Sequence, residues 1–389
     1  PQARLSELAV FLQKQGHELT ILTAMPNYPT GKLFEGYGGI YRNESIDGID
    51  IIRSYIYPSN SVKLIPRLLS YFSFVFSSLF VGILILPKCD VLMTESPPLF
   101  LGISGFFLSR IKGAKWIFNV SDLWPESAVN LGIIGNGIPL KLSKRLEAFF
   151  YKKSWLVTGQ SREIVQNIGG RFPQVETYRL SNGVDVEKFN SRHKTDILKQ
   201  WSNGKEFTAV YAGLHGIAQG LDQIIKTAAK LDKTTPEMQI IFIGDGPEKT
   251  QLIDLAKELN ISNVTFVDPQ TKDQMPKIWA SADIAIIPLK GYIPGAVPSK
   301  LYEVMASGVP VVMIAKGEPV EIVNSCNCGI AVQPDDIDGI VDAIKTLVAN
   351  KNLRKTMGKN GLSEVKNNYN RQNILNRFHK YLEDKIVHY

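Results

Sequence analysis

At 389 residues the chain is long enough for two α/β domains of ordinary size, each with its own core. Hydrophobic residues make up 44% and charged residues 21%, which excludes disordered and fibrous classes. The net charge is +7, with nineteen Lys/Arg against fourteen Asp/Glu up to residue 185; this suits an anionic membrane surface or a phosphorylated substrate, and no basic run interleaved with aromatics argues for nucleic acid.

Apolar residues at helical spacing over 6–15 predict an opening helix closed by Gly16, followed by a strand at 18–23. A βα sheet ordinarily starts with a strand and a Gly-rich turn, so the reading is expected to begin one strand late. Further strands are predicted at 49–54, 90–94, 115–120, 156–159 and 177–180. After the turn Asn182-Gly183-Val184-Asp185 a second set follows at 207–212, 239–244, 264–267, 284–288, 309–314 and 329–332. Alternation of strands and helices gives two doubly wound, Rossmann-like halves, with the domains divided as 1–186, 187–370 and a last helix, 371–389, returning to the first half. Cys89, Cys326 and Cys328 are too few for a disulfide framework and supply no zinc set, so free thiols in a reducing compartment are expected. No signal peptide is expected before the first helix.

Residues 68–86 carry no charge and approach the length of a membrane span. Ser70, Ser73, Ser77 and Ser78 recur along them as a small polar stripe, leaving three readings open: a buried domain helix, a helix dipping into a membrane surface, or a span. A second amphipathic helix pairs Leu142, Leu146, Phe149 and Phe150 with Lys141, Lys144, Arg145, Lys152 and Lys153. Its apolar face is expected in the core and its basic face suits anionic lipid.

Ligands of a parallel sheet bind beyond the carboxyl ends of its strands. Strand 207–212 runs into Gly213-Leu214-His215-Gly216-Ile217-Ala218-Gln219-Gly220, where backbone amides can approach an anion; His215 is placed to reach phosphates. Strand 239–243 leads to Gly244-Asp245-Gly246-Pro247, but Lys249 stands where a dinucleotide fingerprint needs its third glycine. The loop after 284–288 opens a helix at Pro298-Ser299-Lys300-Leu301-Tyr302-Glu303. With Ser299 as N-cap, the first-turn amides and Lys300 suit a diphosphate, and Glu303, one turn on, can accept both ribose hydroxyls. In the first half, Asp122 and Glu126 follow strand 115–120. A carboxylate there can orient or deprotonate a hydroxyl, or Asp122 caps a helix starting at Trp124 and Pro125.

These residues resemble glycosyltransferase family 4 over nearly the whole chain, in the 182–185 turn with Phe189, the 244–247 loop, Ala282-Asp283 and residues 298–310. Met25-Pro26-Asn27-Tyr28-Pro29-Thr30-Gly31-Lys32, Ser96-Pro97-Pro98, Asp122-Leu123-Trp124-Pro125-Glu126 and Ala218-Gln219-Gly220-Leu221 are similar to bacterial O-antigen and capsule transferases of the N-acetyl-fucosamine transferase type. The resemblance implies a GT-B fold of two Rossmann-like domains facing a cleft, and a retaining transfer that uses no metal and no cofactor beyond a UDP-sugar donor. It further implies a polyprenyl-diphosphate-linked saccharide as acceptor, and a cytoplasmic protein attached peripherally to the inner face of the cell membrane. The donor is expected against Gly213, His215, Gly216, Gln219, Gly244, Asp245, Gly246, Ser299, Lys300, Leu301 and Glu303, the acceptor against Asn27, Tyr28, Ser96 and Pro97, with Asp122 and Glu126 catalytic. The chain departs from the pattern where the first of the family's two paired glutamates becomes Gly295, and where its diphosphate-binding Arg and Lys become Leu214 and Gln219. A nucleotide-sugar 2-epimerase of the same architecture and a degenerate, membrane-attached binding subunit remain alternatives.

Overall fold

The computed structural model describes residues 2–27, 30–61, 64–130, 135 and 137–387. The chain forms two compact units, residues 1–180 with 378–389 and residues 181–377.

The first unit starts with α1 (Gln2–Lys14) and holds two sheets. In one, β1 (Thr20–Ala24) pairs in parallel with β3 (Ile49–Ser54), which pairs antiparallel with β2 (Tyr41–Ile46). Strand β2 is absent from the sequence reading because Arg42, Asn43, Glu44 and Ser45 break any apolar alternation. Its signal lies in the turn: Asp47 and Gly48 have φ of 53° and 77°, the two-residue hairpin loop that Asp-Gly favours. The other sheet is the parallel series β4 (Val91–Ser96), β5 (Lys115–Val120), β6 (Leu156–Gly159) and β7 (Thr177–Arg179). Its helices are α2 (Leu64–Ile85), α3 (Leu101–Lys112), α4 (Glu126–Asn130), α5 (Ile138–Lys153) and α6 (Arg162–Arg171). Phe118, Val120, Phe150 and Ile164 fill the core between β5, β6 and the helices.

The second unit is one parallel sheet of six strands: β8 (Phe207–Ala212), β9 (Met238–Ile243), β10 (Val264–Val267), β11 (Ile284–Pro288), β12 (Val311–Ile314) and β13 (Gly329–Val332), in spatial order β10-β9-β8-β11-β12-β13. Successive residues feed opposite cores. Val210, Ile241 and Ile287 face one side and Tyr211, Phe242 and Ile286 the other, as expected of a sheet covered on both faces. The covering helices are α7 (Asp222–Leu231), α8 (Lys249–Glu258), α9 (Met275–Ser281), α10 (Ser299–Ala306), α11 (Glu318–Cys326), α12 (Ile337–Ala349) and α13 (Lys351–Glu364).

The final helix, α14 (Arg371–Val387), contributes to both units. Its Phe378 packs on Tyr178 at 5.3 Å, Tyr381 donates to Glu176 at 2.8 Å, and the Nε2 atoms of His379 and His17 lie 2.7 Å apart. The chain passes to the second unit before the 182–185 turn, because that turn is tied to the start of α14. Val184 N–H donates to the Tyr369 carbonyl at 2.9 Å and Arg371 Nη2 to the Gly183 carbonyl at 2.7 Å.

Candidate functional site

Strand order reverses beside β8: the chain leaves it toward β9 and β10, then returns at β11 on its other side. The crevice of a doubly wound sheet opens at such a point, beyond the carboxyl ends of the two strands. Here the loops after β8, β9 and β11 are laced together. Gly213 N–H donates to the Ile243 carbonyl at 2.8 Å, His215 N–H to the Asp245 carbonyl at 2.9 Å, and Lys290 N–H to the Ala218 carbonyl at 2.9 Å.

Lys300, on the first turn of α10, reaches into this crevice. A Cβ on Gly213 would lie 1.9 Å from its Nζ, and one on Gly244 would lie 1.9 Å from the Gly213 carbonyl oxygen. Only glycines allow loops and ammonium to come so close. Nζ also stands 5.4 Å from the centre of the Tyr211 ring, a cation–π contact. Burial lowers the Lys300 pKa below the usual lysine range, with Glu303 opposing. No ion pair holds Lys300 among the described residues, so its charge is available to an anion.

One turn further, the Glu303 carboxylate accepts from Trp279 Nε1 at 3.1 Å. Trp279, fully buried on α9, escaped the sequence reading because nothing in residues 275–281 distinguishes a carboxylate-orienting indole from core. Gly295 has φ 71°, a left-handed backbone that favours glycine over glutamate, so the first acid of the family pair is replaced by a turn.

Two expectations change. Helix α10 begins at Ser299 with Pro298 at the N-cap, and no side chain caps it; Pro298 cannot extend the helix with an N–H, which makes it the boundary. Ser299, Lys300 and Leu301 therefore bring first-turn backbone rather than a hydroxyl cap. His215 is fully buried, boxed by Tyr211, Phe242 and Phe266 at ring separations of 5.8, 6.3 and 6.3 Å. Among the described residues neither ring nitrogen has a hydrogen-bond partner, and burial, then Lys249, push its pKa down to about 4. The ring is a neutral filler shielded from solvent among these aromatic rings. The Gln219 Oε1 is likewise buried without a partner among the described residues, beside Gly216. Asp245 accepts from the Gly246 N–H at 2.8 Å, which shapes the β9 loop.

In the first unit, the ends of β4 and β5 share a carboxylate pair. Glu95 binds Arg4 at 3.4 Å and accepts from Asn119 and Ser121; Arg4 also donates to Ser121 Oγ at 2.8 Å. Asp122 follows directly. Burial, then the charge of Glu95, push its pKa up to about 6, with Arg4 opposing. No hydrogen bond holds its side chain among the described residues, and the helix after it starts at Glu126, so Asp122 does not cap a helix at Trp124. Glu95 was missed because in sequence it is one more polar residue at a strand end. Glu126 is engaged elsewhere: Arg171 bridges it at 3.4 Å and the fully buried Glu147 at 2.7 Å. That ion-pair network gives Glu126 a structural partner.

Asn27, after β1, turns its side chain onto the Met25 carbonyl at 2.9 Å. Ser96 is buried at the end of β4 and accepts the Ser121 N–H at 2.8 Å through its carbonyl; Pro97 follows half-buried. All three sit at strand ends. Tyr28 lies outside the described residues.

Residues 193–364 match the family model of glycosyl transferases group 1. The matched stretch lies within the second unit, which is similar to group 1 glycosyl transferases. Beyond it, the chain is 26% identical over 362 residues to the protein described as colanic acid biosynthesis glycosyl transferase WcaI of Escherichia coli (strain K12), covering 87% of this chain and 86% of that one. Among solved structures it is similar to sucrose-phosphate synthase of Thermosynechococcus elongatus, with TM-score 0.78 at 18% identity, covering 99% and 93% of the two chains. It is also similar to Anabaena HepE in complex with UDP and glucose, with TM-score 0.69 at 15% identity and 87% of each chain covered. The fold is GT-B.

Proposed function

We propose that the chain transfers a hexosyl group, an N-acetylated deoxyhexose, from a UDP-sugar to a polyprenyl-diphosphate-linked saccharide in the assembly of a cell-surface polysaccharide, with anomeric retention and without metal. The observation that carries this reading is the Lys300 ammonium beside Gly213, with the Trp279-held Glu303 one turn away. A cation, first-turn amides and a carboxylate in that order match a diphosphate followed by a ribose. Names of similar proteins agree: colanic acid biosynthesis for one relative, bound UDP for one structure. The donor C1–diphosphate bond breaks, the acceptor oxygen takes C1, and Asp122 orients that hydroxyl or receives its proton.

A thermal-shift panel of UDP, GDP and ADP sugars tests the donor, since a ligand bound only by the folded state raises the unfolding temperature. UDP-sugars should stabilise most, and a GDP or ADP preference would sink the assignment. Gly295 favours a second reading, a 2-epimerase or a non-catalytic binding subunit, because no carboxylate stands there for the donor sugar. Release of free sugar without acceptor marks the epimerase, and binding without turnover marks the subunit.

A further inference from the structure

Helix α2 buries Val75 and Val81 together with Ser70 and Ser78, yet leaves a second apolar stripe exposed. Its serines face the protein: Ser78 donates to Ser104 Oγ at 3.1 Å, Ser73 accepts the Tyr57 N–H at 2.8 Å, and Ser77 donates to the Ser54 hydroxyl at 3.1 Å. Alongside them runs an outward stripe in which Ile65, Leu69, Phe76, Phe80 and Leu84 are 53% to 71% exposed. At this spacing they share one face of a helix that is about 33 Å long at 1.5 Å per residue.

The apolar surface continues sideways. Helix α3 packs closely on α2, where a Cβ on Gly82 would lie 2.7 Å from Leu108, and it leaves Phe107 and Ile111 exposed. Helix α5 joins through Phe106 and Phe149, 5.0 Å apart, with Leu142 57% exposed. Half of the α5 stripe expected in the core therefore faces out. The three helices carry eight Lys/Arg and a single acid, Glu147, which is fully buried against Arg171. Lys141, Lys144 and Arg145 are exposed beside the apolar residues.

We propose that this three-helix face docks on an anionic bilayer surface, with α2 lying in the interfacial plane. A patch of this breadth on a soluble surface marks an interaction site, and aromatic and aliphatic side chains rimmed by cations match the boundary between acyl chains and anionic headgroups. A second copy of the chain fits poorly, since a two-fold contact would set the same cations against each other with no exposed carboxylate between them. A span fits poorly too, because crossing would break the inward serine bonds and the close packing on α3. The inference stands independently of the donor assignment.

Co-sedimentation of the full chain with vesicles tests it, comparing phosphatidylcholine alone with phosphatidylcholine containing about one-third phosphatidylglycerol. Binding should be at least about tenfold tighter to the anionic vesicles, and the triple variant Phe76→Ser, Phe80→Ser, Leu84→Ser should lose about tenfold or more. A Lys141→Ser, Lys144→Ser, Arg145→Ser variant should lose the preference for anionic lipid. Because all six positions are exposed, unchanged unfolding temperatures are expected and exclude misfolding as the cause. Wild-type chain left in the supernatant, or a triple variant that binds like wild type, would overturn the proposal. So would a concentration-dependent dimer, in the absence of lipid, that the triple variant dissolves.

Discussion

The Lys300 ammonium occupies the space that a side chain on Gly213 would need, 1.9 Å from its Cβ position. Two segments almost ninety residues apart in sequence thus meet at one charge. Gly213→Ala should displace the ammonium and weaken UDP binding about tenfold, while Lys300→Ala removes it and should weaken binding about 10- to 100-fold, the range for a charge-assisted hydrogen bond. Isothermal titration with UDP reads both, and unchanged affinity in Lys300→Ala would refute the phosphate role.

Glu303 is held by Trp279, so its orientation and its charge can be separated. Glu303→Ala should raise the donor KM about tenfold and erase discrimination between UDP and 2′-deoxy-UDP, since the carboxylate is assigned the ribose hydroxyls. Trp279→Phe keeps the acid and frees it, and a smaller loss, about 1 kcal/mol in affinity, is expected. Equal discrimination in wild type and Glu303→Ala would move ribose recognition elsewhere.

The Asp122 carboxyl sits at about 6 through burial and the neighbouring Glu95. A base must be ionised, so kcat/KM should fall as pH drops through about 6. In Glu95→Gln a like charge is lost while Arg4 remains, which lowers the Asp122 pKa and moves the acid limb to lower pH. Asp122→Asn with normal turnover would remove it from the chemistry.

His215 should govern part of the acid stability of the second unit. Its pKa falls from 6.5 to about 4 on folding, so the neutral ring contributes stability fully present above 6.5 and lost as pH falls toward 4, on the order of 3 kcal/mol. In denaturant titrations His215→Phe should flatten the pH dependence across that window. A variant with the wild-type slope would place the titration elsewhere.

Much of the fold was legible because its strands are short apolar runs bounded by turn residues, as at Phe207–Ala212 and Ile284–Pro288. Strand β2 was not, since an edge strand with polar side chains on both faces has no hydrophobic signature and only Asp47-Gly48 announces it. The loops bearing Gly213 and Lys300 could be found separately. That they touch is a long-range fact set by strand order. Glu95 and Trp279 were invisible for the same reason, since each acquires its role from a partner at least two dozen residues away. His215 and Glu126 carried the right chemistry in the right loops, but burial in one case and Arg171 in the other engage them differently.

The chain enters the second unit once, after Leu180, and leaves it once, within α14. Residues 181–377 are therefore one uninterrupted stretch that holds every group assigned to the nucleotide, whereas the first unit is assembled from two separate pieces. Cutting the chain at 180 strips Phe378 from Tyr178 and leaves a lipid-facing fragment without part of its own core. On the proposed donor assignment, residues 181–377 expressed alone should fold and bind UDP in plain buffer, whereas the acceptor role proposed for the first unit calls for both of its pieces.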